Sequence, residues 1–158
     1  MTILITAGPT HEPIDPVRYL TNKSSGKMGY ALAQAAAEHG HHVILISGPT
    51  RLGVPDRVDY VPIETAEQMY EAVKHRISKA DIAIFAAAVA DYRPAVVPVH
   101  KIKKTGETMT IELVRNPYIL GSVRINFGYQ GVLIGFAAES ENVEDNARGK
   151  LKRKGCDL

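Results

Sequence analysis

The residues best suited to chemistry fall in short clusters, each at the end of an apolar run. Ala7–Gly8–Pro9–Thr10 follows the run Ile3–Thr6. Gly8 lets backbone approach a phosphate closely, and Thr10 offers a hydroxyl. Ser24–Ser25–Gly26–Lys27–Met28–Gly29 opens a helical pattern. A helix N-terminus presents unpaired N–H groups and a positive dipole end, which suit an anion. Ser24, Ser25, Gly26 and Lys27 add donors and charge there. The segment is not a Walker A loop, because Thr21 and Met28 stand where that motif needs Gly and Ser or Thr, and it is not GxGxxG. Ser47–Gly48–Pro49–Thr50 repeats the Gly-Pro-Thr pattern and could face the same pocket. Ala86–Ala87–Ala88–Val89–Ala90–Asp91–Tyr92 combines small residues, which leave room for a ligand, with a carboxylate able to hold Mg²⁺ or a ribose hydroxyl. Lys101–Ile102–Lys103–Lys104 is a basic cluster that could close over a triphosphate and neutralise charge in a phosphoryl transfer. In Gly135–Phe136–Ala137–Ala138–Glu139, Phe136 could stack on a base. Each cluster also has a plainer reading: a β–α turn, a serine-capped helix, an alanine-rich core strand, a solvated charge run, a core phenylalanine. Residue types alone leave both open. The histidines (His11, His39, His41, His42, His75, His100) show no ligand spacing and read as structural or exposed.

The elements that must carry these clusters follow from periodicity. Ile3–Thr6, His42–Ser47, Arg57–Pro62, Asp81–Ala86 and Gly131–Phe136 are short, continuous apolar runs, as strands buried on both faces of a parallel sheet require. Helices are expected at Met28–His39, stopped by Gly40, at Ala66–Lys79, capped by Thr65, and at Asn142–Lys154. This alternation predicts an α/β, Rossmann-like doubly wound, mostly parallel sheet. Two stretches interrupt it. Ala7–Lys27 is a long loop where a tight turn is usual. Asp91–Leu113 reads as a loop and then a basic β-hairpin flap, turning at Thr105–Gly106–Glu107. Gly155–Cys156–Asp157–Leu158 reads as a turn into another strand, so one domain spanning 1–158 and cut short at its C-terminus is expected.

Composition narrows the partners. The 158 residues suit one domain, and 45% hydrophobic with 23% charged residues is ordinary for a globular chain. A net charge of +2 predicts neither a nucleic-acid nor a membrane partner. The single cysteine, Cys156, rules out an intrachain disulfide and a cysteine-built metal site, and suits a reducing compartment. We read no signal peptide and no bilayer-spanning run, so a cytoplasmic location is expected.

Taken together, Thr6-Ala7-Gly8-Pro9-Thr10, Glu12-Pro13-Ile14-Asp15-Pro16-Val17-Arg18-Tyr19, Asn22-Lys23-Ser24-Ser25-Gly26-Lys27-Met28-Gly29, Ala87-Ala88-Val89-Ala90-Asp91-Tyr92, Lys101-Ile102-Lys103-Lys104 and Gly135-Phe136-Ala137-Ala138-Glu139 resemble bacterial phosphopantothenoylcysteine synthetase across nearly the whole chain. The resemblance implies a CTP- and Mg²⁺-dependent ligase of coenzyme A biosynthesis. It would join 4'-phosphopantothenate to L-cysteine through an acyl-cytidylate. It implies that Asn22 handles that intermediate and that Lys101, with Lys103 and Lys104, belongs to a flap closing the site. Asp91, Ala87 and Ala88 would lie by the nucleotide, with Asp91 the candidate metal ligand. Phe136, Ala137 and Ala138 would contact cytosine or ribose, and Ser24 to Lys27 would hold phosphates. It implies a homodimer, and a natural fusion or association with a flavin-dependent decarboxylase, with no FMN expected in this part. Members of the family continue past the position of Leu158, and an aspartate is expected where Tyr118 stands. The competing readings are a non-catalytic or dinucleotide-binding Rossmann-like domain and an inert shortened fragment.

Overall fold

A computed structural model describes residues 1–104, 106–136 and 155–158. Its centre is a parallel five-stranded sheet. In chain order the strands are β1 (Thr2–Ala7), β4 (His42–Ser47), β5 (Val58–Pro62), β6 (Ile82–Phe85) and β9 (Val132–Gly135). Across the sheet the order is β5-β4-β1-β6-β9. The direction of winding reverses between β1 and β6, so the crevice beyond their carboxyl ends is where a doubly wound sheet offers a ligand site.

The continuous apolar runs have a direct cause. Along β1, Ile3, Ile5 and Ala7 face one core with Tyr30, Ala33 and Ala37 of α1 (Lys27–Glu38). Leu4 faces the other core, with Met69 and Val73 of α2 (Ala66–Lys74) and Ile119 and Val123 of α3 (Ile119–Ile125). Both faces are covered, so alternation would leave a polar side chain in one core.

The helix ends follow the residues predicted for them. Gly40 takes a left-handed φ of 78°, and its N–H donates to the Ala37 carbonyl, which closes α1. Thr65 and Gln68 form a reciprocal capping box on α2. The helix expected over Ala66–Lys79 is shorter, however. It ends at Lys74, and a 3₁₀ turn over Ile77–Lys79 takes up the rest. The helix expected at Asn142–Lys154 lies outside the described residues.

Both interrupting stretches carry structure that periodicity did not reveal. Within Ala7–Lys27, β2 (His11–Pro13) pairs antiparallel with β3 (Tyr19–Thr21), and the His11 and Tyr19 rings stack 3.9 Å apart. The second hairpin is also placed differently from the expectation. Its strands are β7 (Tyr92–Pro94) and β8 (Leu113–Arg115), paired at the base of the excursion. Lys101, Lys103 and Lys104 therefore sit on the irregular connection between the strands. The cause is local: among the described residues the two limbs bond main chain to main chain at the base, with Ala95 N–H on the Glu112 carbonyl and Asn116 N–H on the Asp91 carbonyl. Thr105, at the expected turn, is outside the described residues. Asp157 and Leu158 hydrogen-bond to Leu133 and Gly135 of β9.

Candidate functional site

The crevice between β1 and β6 is partly closed by main chain. Pro9 bridges Ala88 in parallel, Ala88 N–H donates to the Gly8 carbonyl at 2.9 Å, and Thr10 N–H donates to the Ala88 carbonyl at 3.3 Å. The Thr10 hydroxyl accepts from Ala90 N–H at 3.0 Å, and the residue is fully buried. Gly8 is buried as well. In this structure Gly8 and Thr10, expected beside a phosphate, form the floor of the crevice, because the Gly-Pro-Thr segment extends β1 against the alanine-rich end of β6.

Three glycines shape the passage from β1 into α1, although the sequence lacks the dinucleotide fingerprint. Gly8 makes the first turn with φ 71°, and Gly26 caps α1 with φ 76°. A Cβ on Gly29 would come within 2.5 Å of the Ala7 Cβ, so its absence lets α1 lie close on β1. The insertion 9–25 separates the first from the other two, which hides the pattern from a search by spacing. Ser24 Oγ accepts from Gly26 N–H at 3.3 Å and Ser25 Oγ from Lys27 N–H at 3.4 Å, so both hydroxyls serve the turn into α1.

Asn22 is tied to the same floor. Its Nδ2 donates to the Ala88 and Val89 carbonyls, both at 3.2 Å. Both amide hydrogens are then used, and the two carbonyl partners fix which end of the amide is nitrogen. Among the described residues Oδ1 has no hydrogen-bond partner, which leaves it as an acceptor.

Beside this floor opens a cleft of about 490 Å³. Ala87, Asp91 and Phe136 line it, as do Tyr92, Arg115, Asn116 and Tyr118. Asp91 and Phe136 are exposed to it, and Ala87 is half-buried. The predicted residues thus divide. Ala87, Asp91 and Phe136 share the cleft, and Asn22 and Ala88 share its adjoining wall. Lys101, Lys103 and Lys104 are exposed on the β7–β8 connection. Lys27 lines a separate cavity of about 610 Å³ with Tyr30, Gln34, Leu52 and Arg57. Ala137 and Ala138 lie outside the described residues.

Sequence reasoning missed Arg115 and Asn116. Asn116 Nδ2 donates to the Ala90 carbonyl at 2.8 Å, and its Oδ1 accepts from Arg93 Nη1 at 3.2 Å, while Arg93 pairs with Glu67 at 2.8 Å. That network braces the cleft wall from the far side. A cation and an amide immediately before Pro117 were the only local signal.

Among the described residues no group of three or more His, Cys, Asp or Glu comes together to hold a metal ion. Asp91 is a single carboxylate at the cleft, which suits Mg²⁺ arriving on the phosphates of a nucleotide. No helix among the described residues is long and apolar enough to cross a membrane.

The family model of the DNA/pantothenate metabolism flavoprotein C-terminal domain matches residues 1–158. The chain is 53% identical over 159 residues to the coenzyme A biosynthesis bifunctional protein CoaBC of Vibrio vulnificus (strain YJ016), covering 99% of this chain and 40% of that protein. The crystal structure of the C-terminal domain of a CoaBC protein superposes with a TM-score of 0.85 at 49% identity, covering 98% of this chain and 73% of that one. A Cab2 mutant solved in complex with phosphopantothenate-cysteine superposes with a TM-score of 0.77 at 18% identity, over 98% of this chain and 70% of that one, a likeness of fold. The chain spans about 40% of the length of the curated relatives it matches.

Proposed function

The chain belongs to the family of the DNA/pantothenate metabolism flavoprotein C-terminal domain, and on that premise we propose that it is the ligase part of a coenzyme A biosynthesis protein, joining 4'-phosphopantothenate to L-cysteine at the expense of CTP. The phosphopantothenate carboxylate attacks the α-phosphorus of CTP, an O–P bond forms, and pyrophosphate leaves with the electrons of the bond it breaks. The cysteine amine then attacks the acyl carbon of the cytidylate, CMP leaves, and the nitrogen loses a proton to give the amide.

The observation that carries this reading is the anchoring of Asn22. Its amide hydrogens are spent on the wall of the cleft, so the side chain offers an acceptor. An acceptor suits an N–H of the incoming amine and helps aim its lone pair at the acyl carbon. Phe136 stacks on the cytosine, with Ala87 and Ala88 beside the nucleotide and Ala137 and Ala138 at its base or ribose. Asp91 holds Mg²⁺ together with the phosphates, and the metal supplies charge neutralisation there. Lys101, Lys103 and Lys104 close over the phosphates and stabilise charge as pyrophosphate departs. The N-terminus of α1, with Ser24, Ser25, Gly26 and Lys27, takes a further anionic group.

By the family resemblance the working unit is a homodimer whose flaps reach across, and the exposed apolar residues Val96, Val97, Val99 and Met109 on the β7–β8 connection give such a flap surface to bury. The relatives are called bifunctional. We therefore read a flavin-dependent decarboxylase as the fused or associated half and place the work in the cytoplasm, with FMN belonging to that other half.

The test is CTP-dependent release of pyrophosphate that requires phosphopantothenate, with amide formation requiring cysteine. A thermal-shift comparison accompanies it: CTP with Mg²⁺ at ~100 Kd should add about 2.7 kcal/mol. Stabilisation by NADPH alone would instead support a dinucleotide-binding domain, and no response to either nucleotide would mark an inert fragment.

A further inference from the structure

Residues 96–111, which carry the three exposed lysines, have neither strand nor helix among the described residues. Among those residues, the hydrogen bonds that tie this stretch to the rest of the chain are both at Ile102. Ile102 N–H donates to Asp15 Oδ2 at 3.1 Å, and the Ile102 carbonyl accepts from Arg18 Nη2 at 3.3 Å. The receiving pair is itself rigid. Asp15 Oδ2 also takes Arg18 Nε at 3.1 Å and Nη2 at 2.6 Å. Asp15 Oδ1 takes the Val17 and Arg18 N–H groups, both at 2.9 Å. The Asp15 side chain is fully buried, with 0% exposure. An acceptor and a donor held side by side thus meet one residue of an unpaired chain, as a neighbouring strand would.

We propose that Asp15, fixed by Arg18, is a positioning residue that docks the Lys101–Lys104 segment onto the loop bearing Asn22; its catalytic consequence rests on the ligase reading above. Ile102 lies between Lys101 and Lys103, so gripping its main chain sets where both lysines start. Asp15 and Asn22 belong to the same insertion after β1. One contact therefore registers the cationic segment against the amide that faces the reacting centre. Without it, a loop of this length keeps its ends fixed at β7 and β8 but samples many positions between them.

The test uses the intact protein and three variants. Asp15→Asn removes the ion pair. Ile102→Pro removes the donated N–H and leaves the 15–18 turn untouched. The third variant combines the two. Limited trypsin digestion without substrates should cut at Lys101, Lys103 and Lys104 about tenfold faster in Asp15→Asn, and at Lys103 and Lys104 about tenfold faster in Ile102→Pro, where trypsin does not cut between Lys101 and the introduced proline; about tenfold is the size of one lost charge-assisted hydrogen bond. Cutting elsewhere should stay unchanged. Each single variant should lower kcat for amide formation, and the double variant should fall no further than the worse single one. Unchanged protection of the three lysines in Asp15→Asn overturns the proposal. So does full additivity of the two substitutions, which would mean that Asp15 matters only for its own turn. The digestion needs no turnover. If the wild-type protein makes no amide, the ligase reading fails while the docking contact is still decided.

Discussion

At the scale of single residues, Asn22 separates two kinds of role that its formula permits. A free asparagine both donates and accepts; this one has committed its hydrogens to the Ala88 and Val89 carbonyls. Asn22→Ala therefore removes an acceptor beside the cleft and a tether from its wall. The expected outcome is a protein that still releases pyrophosphate from CTP but forms amide roughly a hundredfold more slowly, with the cytidylate accumulating and visible by mass spectrometry. Equal loss of both half-reactions would assign Asn22 to nucleotide binding alone. Gly29 makes a different residue-scale prediction. Its missing Cβ lets α1 close on Ala7, so Gly29→Ala should cost about 1–3 kcal/mol in a denaturant titration through overpacking.

At the scale of elements, the ends of α2 and α3 behave differently. The N-terminus of α2 is held twice, by the Thr65–Gln68 capping box and by Glu12, whose buried Oε1 accepts from Ala66 N–H at 2.9 Å. A carboxylate there also meets the positive end of the helix. Thr65→Ala should cost about 1 kcal/mol, and Glu12→Ala about 1.5–3 kcal/mol because a charge-assisted bond is lost across a long sequence separation. Both values are read from urea midpoints. In α3 the N-cap is Tyr118, which provides no side-chain cap and lies over Gly121. Tyr118→Asp should supply the cap and add about 1 kcal/mol to stability. No gain in the unfolding midpoint would mean that the ring's packing outweighs the cap.

At the scale of the whole molecule, the Asp15–Arg18 pair links the first loop to the last excursion before α3, and it carries a pH signature. The Arg18 guanidinium, opposed by burial and helped by the Val17, Ile102 and Arg18 N–H groups, holds the Asp15 carboxyl well below its ordinary value of 3.8. A lowered folded value means that the carboxylate stabilises the fold above the unfolded value. That contribution is lost as pH falls through the folded one. The stability difference between wild type and Asp15→Asn should therefore be full near about pH 7 and shrink through the acid range below about 4. A difference that stays constant into acid would show that the charge plays no part.

Much of this arrangement was written in the order of residues. The five runs of Ile, Val and Leu could be read as two-sided strands because both faces of a parallel sheet are covered, and Gly40 and Thr65 marked helix ends because their local chemistry is sufficient there. Ala87, Asp91 and Phe136 were grouped by their positions after strands and do line one cleft, since strand ends converge in such a sheet. What residue order could not reveal are the contacts between segments distant along the chain. Asp15 gripping Ile102, Asn22 spending its hydrogens on Ala88, Thr10 buried against Ala90, and Arg115 turned into the cleft each depend on where another loop comes to rest. Periodicity and capping act over a few residues. Those contacts exist only after the sheet has brought the ends of β1, β6 and β7 together.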